Sequence, residues 1–259
     1  MPEAGSSARL PTLHQFRFSH FNEKVRWVLD HKRVPHRRRS YLPGMHILPT
    51  MRRTGQQQLP VWCEGPLTIV GSAKIIEHLE REHPEPTLLP ADPAARAQAL
   101  DVQRWFDTEV GAQVRNAAFV EWLADSSYMA RLFTGHATPL VRAAYRASFP
   151  LVRIGMATTM DLTREHAEAG LVRAAEAFAF VAEHAGPNGY LVGDRFSIAD
   201  VAAAAILSPA VLPAEFPYPA PQPYSPTFRH FLDRFAAHPG AAWVRDMYRR
   251  HRDPSAEVA

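Results

Sequence analysis

Residues 12–30, TLHQFRFSHFNEKVRWVLD, decide how the chain is read. Leu13, Gln15 and Arg17 alternate with His14, Phe16 and Phe18 at the period of a strand. Beyond Ser19 the apolar residues Phe21, Val25, Val28 and Leu29 recur at helical spacing. A strand that gives way to a helix at Ser19 puts that hydroxyl beside the unsatisfied N–H groups of a helix start, where the dipole favours an anion. A thiolate suits such a position.

Working outward, Val34-Pro35 turns the chain into HRRRSYL, a second strand that Pro35 marks as an edge or as the strand's entry point. Pro49 leaves HILPTMRRTG a short irregular helix at best. Two strand-like runs follow, residues 59–63 and 67–70, joined as a hairpin by Glu64-Gly65-Pro66. Ser72 then reads as the cap of SAKIIEHLEREH, with Ile75, Ile76 and Leu79 as its apolar stripe. The order β-α-β, then β-β-α, predicts an α/β thioredoxin-like domain over residues 11–87, preceded by a loose arm at 1–10.

A proline-rich linker, 88–93, leads into an all-α helical domain over 94–259. Val102, Phe106, Val110, Val114 and Ala117 form a stripe through its first long helical stretch. A second stretch over 128–160 is predicted to break near Pro139 and Pro150, and a third spans 161–184. Ser197 and Asp200 spell a capping box, with Phe196 placed to staple onto Val201. The proline-rich residues 209–226 read as an extended surface segment, before two last helices at 227–237 and 241–250.

Composition narrows the function classes. With 46% hydrophobic residues in 259, the chain can bury real cores. The 29 Lys+Arg against 26 Asp+Glu give a net charge of only +3, which implies no nucleic-acid partner. Cys63 is the single cysteine, so no intrachain disulfide forms, and it reads as buried packing in a central strand. No apolar signal core or membrane-length run is present, so the expectation is a cytoplasmic protein away from membranes. The histidines show no zinc-type spacing, which predicts no metal, and the basic run at 37–39 reads as a solvated edge.

The run FSHFNEKVRWVL resembles the first strand-to-helix turn of cytosolic glutathione transferases, with Lys24-Val25-Arg26 in register. Ser19 falls where serine-type classes hold the catalytic serine, and glutaredoxin-like or omega-type relatives the first cysteine. His20 replaces the usual proline and Asn22 the usual cysteine. TGQQQLPVW resembles the segment that carries a cis-proline, with Leu59-Pro60 at that position, and the S-x-A-D capping box is similar to the one in the family's helical domain.

The resemblance implies glutathione as co-substrate, its backbone along Leu59-Pro60 and its γ-glutamyl carboxylate at Ser72, with Gln58 nearby. Where relatives carry an acidic residue before that serine, this chain has Gly71, so the partner for the ligand's amino group is missing. Arg52, Arg53 and Gln57 are candidates for the glycyl carboxylate, or else solvated loop residues. Ser19 would hold the thiolate, and its plain alternative is an N-cap. Asn22 is either a second donor to the sulfur or an exposed polar residue, and His20 reads as solvent-facing. The implied activity is conjugation of glutathione to a small hydrophobic electrophile lying against Phe106 and Val110, by a homodimer. The alternatives are a glutathione-dependent isomerase or lyase, or a binding and scaffold protein that no longer catalyses.

Overall fold

In the computed structural model, which describes residues 10–258, a mixed four-stranded sheet has the order β2-β1-β3-β4. The strands are β1 (Thr12–Gln15), β2 (Arg37–Ser40), β3 (Val61–Glu64) and β4 (Leu67–Val70). β1 pairs parallel with β2 and antiparallel with β3, and β3 pairs antiparallel with β4. Helix α1 (His20–His31) connects β1 to β2 as a βαβ crossover. α2 (Ile47–Thr54) follows β2, and α3 (Ser72–Glu82) follows the hairpin and packs beside α1. All but Leu10 of the expected arm at 1–10 lies outside the described residues.

Four local details differ from the sequence reading. β1 stops at Gln15, and residues 16–18 turn away instead of completing the strand. Residues 47–54 form a regular helix, because Pro49 falls in its first turn, where the missing N–H has no intrahelical partner to lose, and Gly55 closes it at φ 72°. Gly71, not Ser72, occupies the N-cap of α3. Cys63 is half-buried, with Arg53 Nη1 3.8 Å from its Sγ.

The helical half consists of α4 (Pro93–Trp105), α5 (Gly111–Trp122), α6 (Ser126–Thr134), α7 (Pro139–Thr159), α8 (Arg164–His184), α9 (Ile198–Leu207), α10 (Pro226–Phe235) and α11 (Pro239–His251). A π-helical turn at Phe106–Val110 joins α4 to α5. Pro150 does not break α7; it is exposed, so the carbonyl it frees faces water. Helix α9 is the axis of the molecule, with all ten of its residues buried against α1, α4 and α11. Its capping box is present as predicted: the Asp200 carboxylate accepts from Ser197 N–H at 2.9 Å, and also from Leu191 N–H at 2.8 Å, fastening the preceding loop.

Lys24-Val25-Arg26 is structural throughout. Val25 lies in the core, and Lys24, fully buried, meets Asp107 at 2.5 Å and ties α1 to the π turn. Arg26 is fully buried and donates to Glu23, Gln15 and the carbonyls of Phe16 and Arg17 at 2.7–3.2 Å. From it runs an alternating chain of charges, Arg26–Glu23–Arg252–Asp30–Arg38, with contacts of 2.5–2.9 Å. Arg38 is therefore a buried ion partner and not part of a solvated edge. Residues 252–258, beyond the last predicted helix, reach back across β2: Ala256 N–H donates to Asp30 and Val258 N–H to the His36 carbonyl.

The proline-rich segment is also not a free surface strand. Phe216 stacks on Phe18 with ring centroids 6.3 Å apart, and the Tyr218 hydroxyl accepts from Gln15 Nε2 at 2.8 Å. Arg17 and Arg26 lie 4.8 and 5.0 Å from the Tyr218 ring centroid. The strap thus braces the turn that leads to Ser19.

Buried histidines give this fold a pH dependence. Burial lowers His14 and His36 to about 4 and His20 to about 3. The unfolded chain therefore takes up protons from about pH 6.5 downward while the native protein does not, and stability present above that pH is lost on acidification. Asp200, pushed up to about 6 by burial, opposes this between about pH 4 and 6, but it is one group against three. The melting temperature should fall by ~10 °C between pH 7 and pH 5 in a thermal scan, each pKa unit being worth ~1.36 kcal/mol. A flat or rising profile would contradict the assignment of neutral, buried imidazoles.

Candidate functional site

Between the sheet domain and the helices lies a cleft of about 1080 Å³. Its sheet-domain wall carries Ser19, Gln58, Leu59, Pro60, Gly71 and Ser72, so these six residues, scattered over fifty positions of sequence, share one space. Gln57 lines it too, whereas Arg52 and Arg53 are exposed on α2 outside it.

Ser19 is the N-cap of α1, and its Oγ accepts from Asn22 N–H at 3.4 Å. That bond occupies a lone pair and leaves the hydroxyl hydrogen to donate elsewhere, so capping and anion binding are compatible roles. Across from it, the Leu59-Pro60 bond is cis. Among the described residues, neither the N–H nor the C=O of Leu59 has a hydrogen-bond partner, so a donor and an acceptor are available to an extended peptide. At Ser72 the N-terminus of α3 opens on the same cleft.

Gly71 has φ 93° and ψ 139°, a conformation that residues with a Cβ avoid, so an acidic residue here would sit under ~1–3 kcal/mol of backbone strain.

Two residues of the α1 start are placed differently from their sequence readings. Asn22 is fully buried, does not line the cleft, and among the described residues has no partner for Oδ1 or Nδ2. It is not an exposed polar residue. His20 is not solvent-facing: it is 4% exposed and lines the cleft, and among the described residues Nε2 has no partner. Burial, helped by the nearby Arg115 guanidinium, lowers its pKa to about 3, so the ring is neutral at physiological pH. Nothing local in the sequence signals this, because the element that covers His20 is α5, some ninety residues on.

The helical wall also departs from expectation. Phe106 and Val110 are fully buried behind the cleft; the apolar surface facing Ser19 comes from Ala118, Phe119, Trp122, Phe133, Val152 and Met156. The predicted stripe is real, but it is the face that packs on α9 and α8. Among the described residues, no group of three or more His, Cys, Asp or Glu could hold a metal ion, and no helix is long and apolar enough to cross a membrane.

Comparison with known proteins agrees with this fold. Residues 13–87 match the pattern of the glutathione S-transferase N-terminal domain and residues 164–240 that of its C-terminal domain. The FtsZ-localized protein A of Caulobacter vibrioides is 27% identical over 208 residues, 76% of this chain and 75% of that one. Among solved structures, a glutathione S-transferase from Rhodospirillum rubrum superposes with a TM-score of 0.63 at 20% identity, covering 95% of this chain and 90% of the other. A β-etherase from Sphingobium does so at 0.59 and 20%, covering 92% and 99%. With both domain patterns in place on this architecture, the chain belongs to the glutathione transferase superfamily.

Proposed function

We propose that the protein is a glutathione transferase that joins the glutathione thiolate to a small apolar electrophile. The observation that carries the reading is the convergence of a donor hydroxyl, Ser19, and the unpaired Leu59 backbone on one cleft. Glutathione supplies the nucleophilic sulfur; the residues present fit it, with Leu59 offering a strand-like pair to its backbone and Gln58, Gly71, Ser72 and the α3 N-terminus facing a carboxylate. Ser19 donates to the sulfur anion. A free cysteine thiol has a pKa of ~8.5, and a hydrogen bond to a charge is worth ~1.5–3 kcal/mol, enough to lower it by one to two units. Asn22 is buried apart from the cleft, so Ser19 is the residue we assign to this task. Phe119, Trp122 and Met156 form the bed for the electrophile. We extend the reading to a cytoplasmic homodimer, which sedimentation and cell fractionation address.

Ser19→Ala should lower turnover with a generic aryl halide ~10–100-fold, the size of one lost charge-assisted bond. Equal rates in variant and parent would remove Ser19 from the mechanism. If product analysis found glutathione returned unconsumed, the reaction would be an isomerisation on the same site.

Two observations favour a second reading, a binding or scaffold role without catalysis. Gly71 leaves the ligand's amino group without an acidic partner, and a relative of this chain is named for where it localises and not for a reaction. Isothermal titration separates the two: millimolar or tighter binding of glutathione supports the transferase, and no heat at 10 mM supports the scaffold.

A further inference from the structure

The charged residues lining the cleft are Arg17 and Arg115, and among the described residues no aspartate or glutamate lines it. Arg17 has a partial counterweight in the face of Tyr218. Arg115 has none. It stands one turn beyond Gly111, which presses so closely on α1 that a Cβ there would come within 2.5 Å of the Phe21 ring. The positions that follow on the same helical face, Ala118 and Trp122, line the cleft as Arg115 does, so its guanidinium belongs to the wall above Ser19 and His20.

The Arg115 side chain is half-buried and makes no ion pair among the described residues. Among the described residues its only partner is the neutral amide oxygen of Asn116, met by Nε at 3.3 Å and Nη2 at 3.2 Å. Nη1 is left free, and with it the edge of the fork that accepts a carboxylate through two parallel bonds. Desolvation lowers the pKa of Arg115 from its ordinary value, as expected of a cation held out of water without a counter-charge. The neighbouring imidazole of His20 is neutral and cannot supply an anion.

A charge in this state calls for a partner that arrives with the ligand. We infer that the second substrate is itself an anion, an aromatic or aliphatic electrophile bearing a carboxylate that pairs with Arg115 while its apolar body lies on Phe119, Trp122 and Met156. This deepens the transferase reading and rests on it. Arg115 is thereby a specificity-determining residue. Ser19 acts on the sulfur, and Arg115 sets which electrophiles are held in front of it.

The test uses two unreactive probes of nearly the same shape, 2-naphthoate and 2-naphthamide, titrated into the full chain with and without 10 mM glutathione. The expected result is a preference for the carboxylate of at least ~10-fold that persists with glutathione present, falls to within ~2-fold in Arg115→Met, and is partly retained in Arg115→Lys. Equal affinity for the two probes in the parent protein overturns the inference, whatever the variants do. So does a preference that survives Arg115→Met. A preference abolished by glutathione also overturns it, because Arg115 would then belong to the tripeptide's own carboxylate. Failure of the transferase reading shows separately, as no heat when glutathione alone is titrated, and leaves the probe comparison readable.

Discussion

Arg26→Met should remove ~3–5 kcal/mol of stability, read as a shift in the urea midpoint, because a buried ion pair broken from one side leaves its partners uncompensated. The methionine keeps an unbranched apolar stem about as far as the arginine Nε, so what is lost is the guanidinium with its charge and hydrogen bonds. Arg26 donates to four groups: the Glu23 carboxylate, the Gln15 side chain, and the carbonyls of Phe16 and Arg17. Those two carbonyls belong to the turn that delivers Ser19 to the head of α1. Under conditions where the variant is still folded, turnover should therefore fall ~10-fold as well, since the donor is no longer held in place. A stability change below ~1 kcal/mol would mean that the charge chain through Glu23 and Arg252 closes without Arg26.

Asp200→Ala is the second large effect, at ~3 kcal/mol. The buried carboxylate satisfies the N–H groups of Leu191 and Ser197 and the Ser197 hydroxyl, and each buried donor left unpaired costs ~1–3 kcal/mol. The effect carries its own pH signature. Burial pushes the Asp200 pKa up to about 6 from an ordinary value of 3.8, so keeping it ionised at pH 7 works against the fold. That penalty shrinks as the pH drops below about 6, and the parent gains what the alanine variant cannot. The difference between parent and variant should therefore grow by ~1–1.5 kcal/mol from pH 7 to pH 5. A difference that stays constant on acidification would show that the carboxylate titrates normally, and one that narrows would show that the fold lowers its pKa.

What the sequence revealed follows from how local each signal is. The helix start after Ser19, the hairpin chemistry at Glu64-Gly65-Pro66 and the capping box at Ser197 each act within a few residues, and each produced the element expected. The gathering of Ser19, Leu59, Pro60 and Ser72 in one cleft came from family resemblance, since no spacing rule brings positions fifty apart together. Missed were the features made by distant contact. His20 is polar by type and buried because α5 crosses above it. Phe106 and Val110 lie on an apolar stripe as read, but the stripe faces the helical core, and periodicity cannot say which of two apolar neighbours a face will meet. The prolines of 209–226 exclude a helix, and nothing in them shows that Phe216 and Tyr218 will grip the first strand turn.

The return of residues 252–258 to the first helix has a consequence for biosynthesis. Glu23 and Asp30 are translated early, yet their shared cation, Arg252, follows Glu23 by 229 positions. A nascent chain that has already emitted its entire sheet can pair Glu23 with Arg26 and Asp30 with Arg38, but the cation that links these two pairs is still inside the ribosome. The first half can collapse during synthesis with those two pairs unlinked, so ribosome stalling or truncation before Arg252 should leave the amino-terminal half more open to proteases than in the full chain.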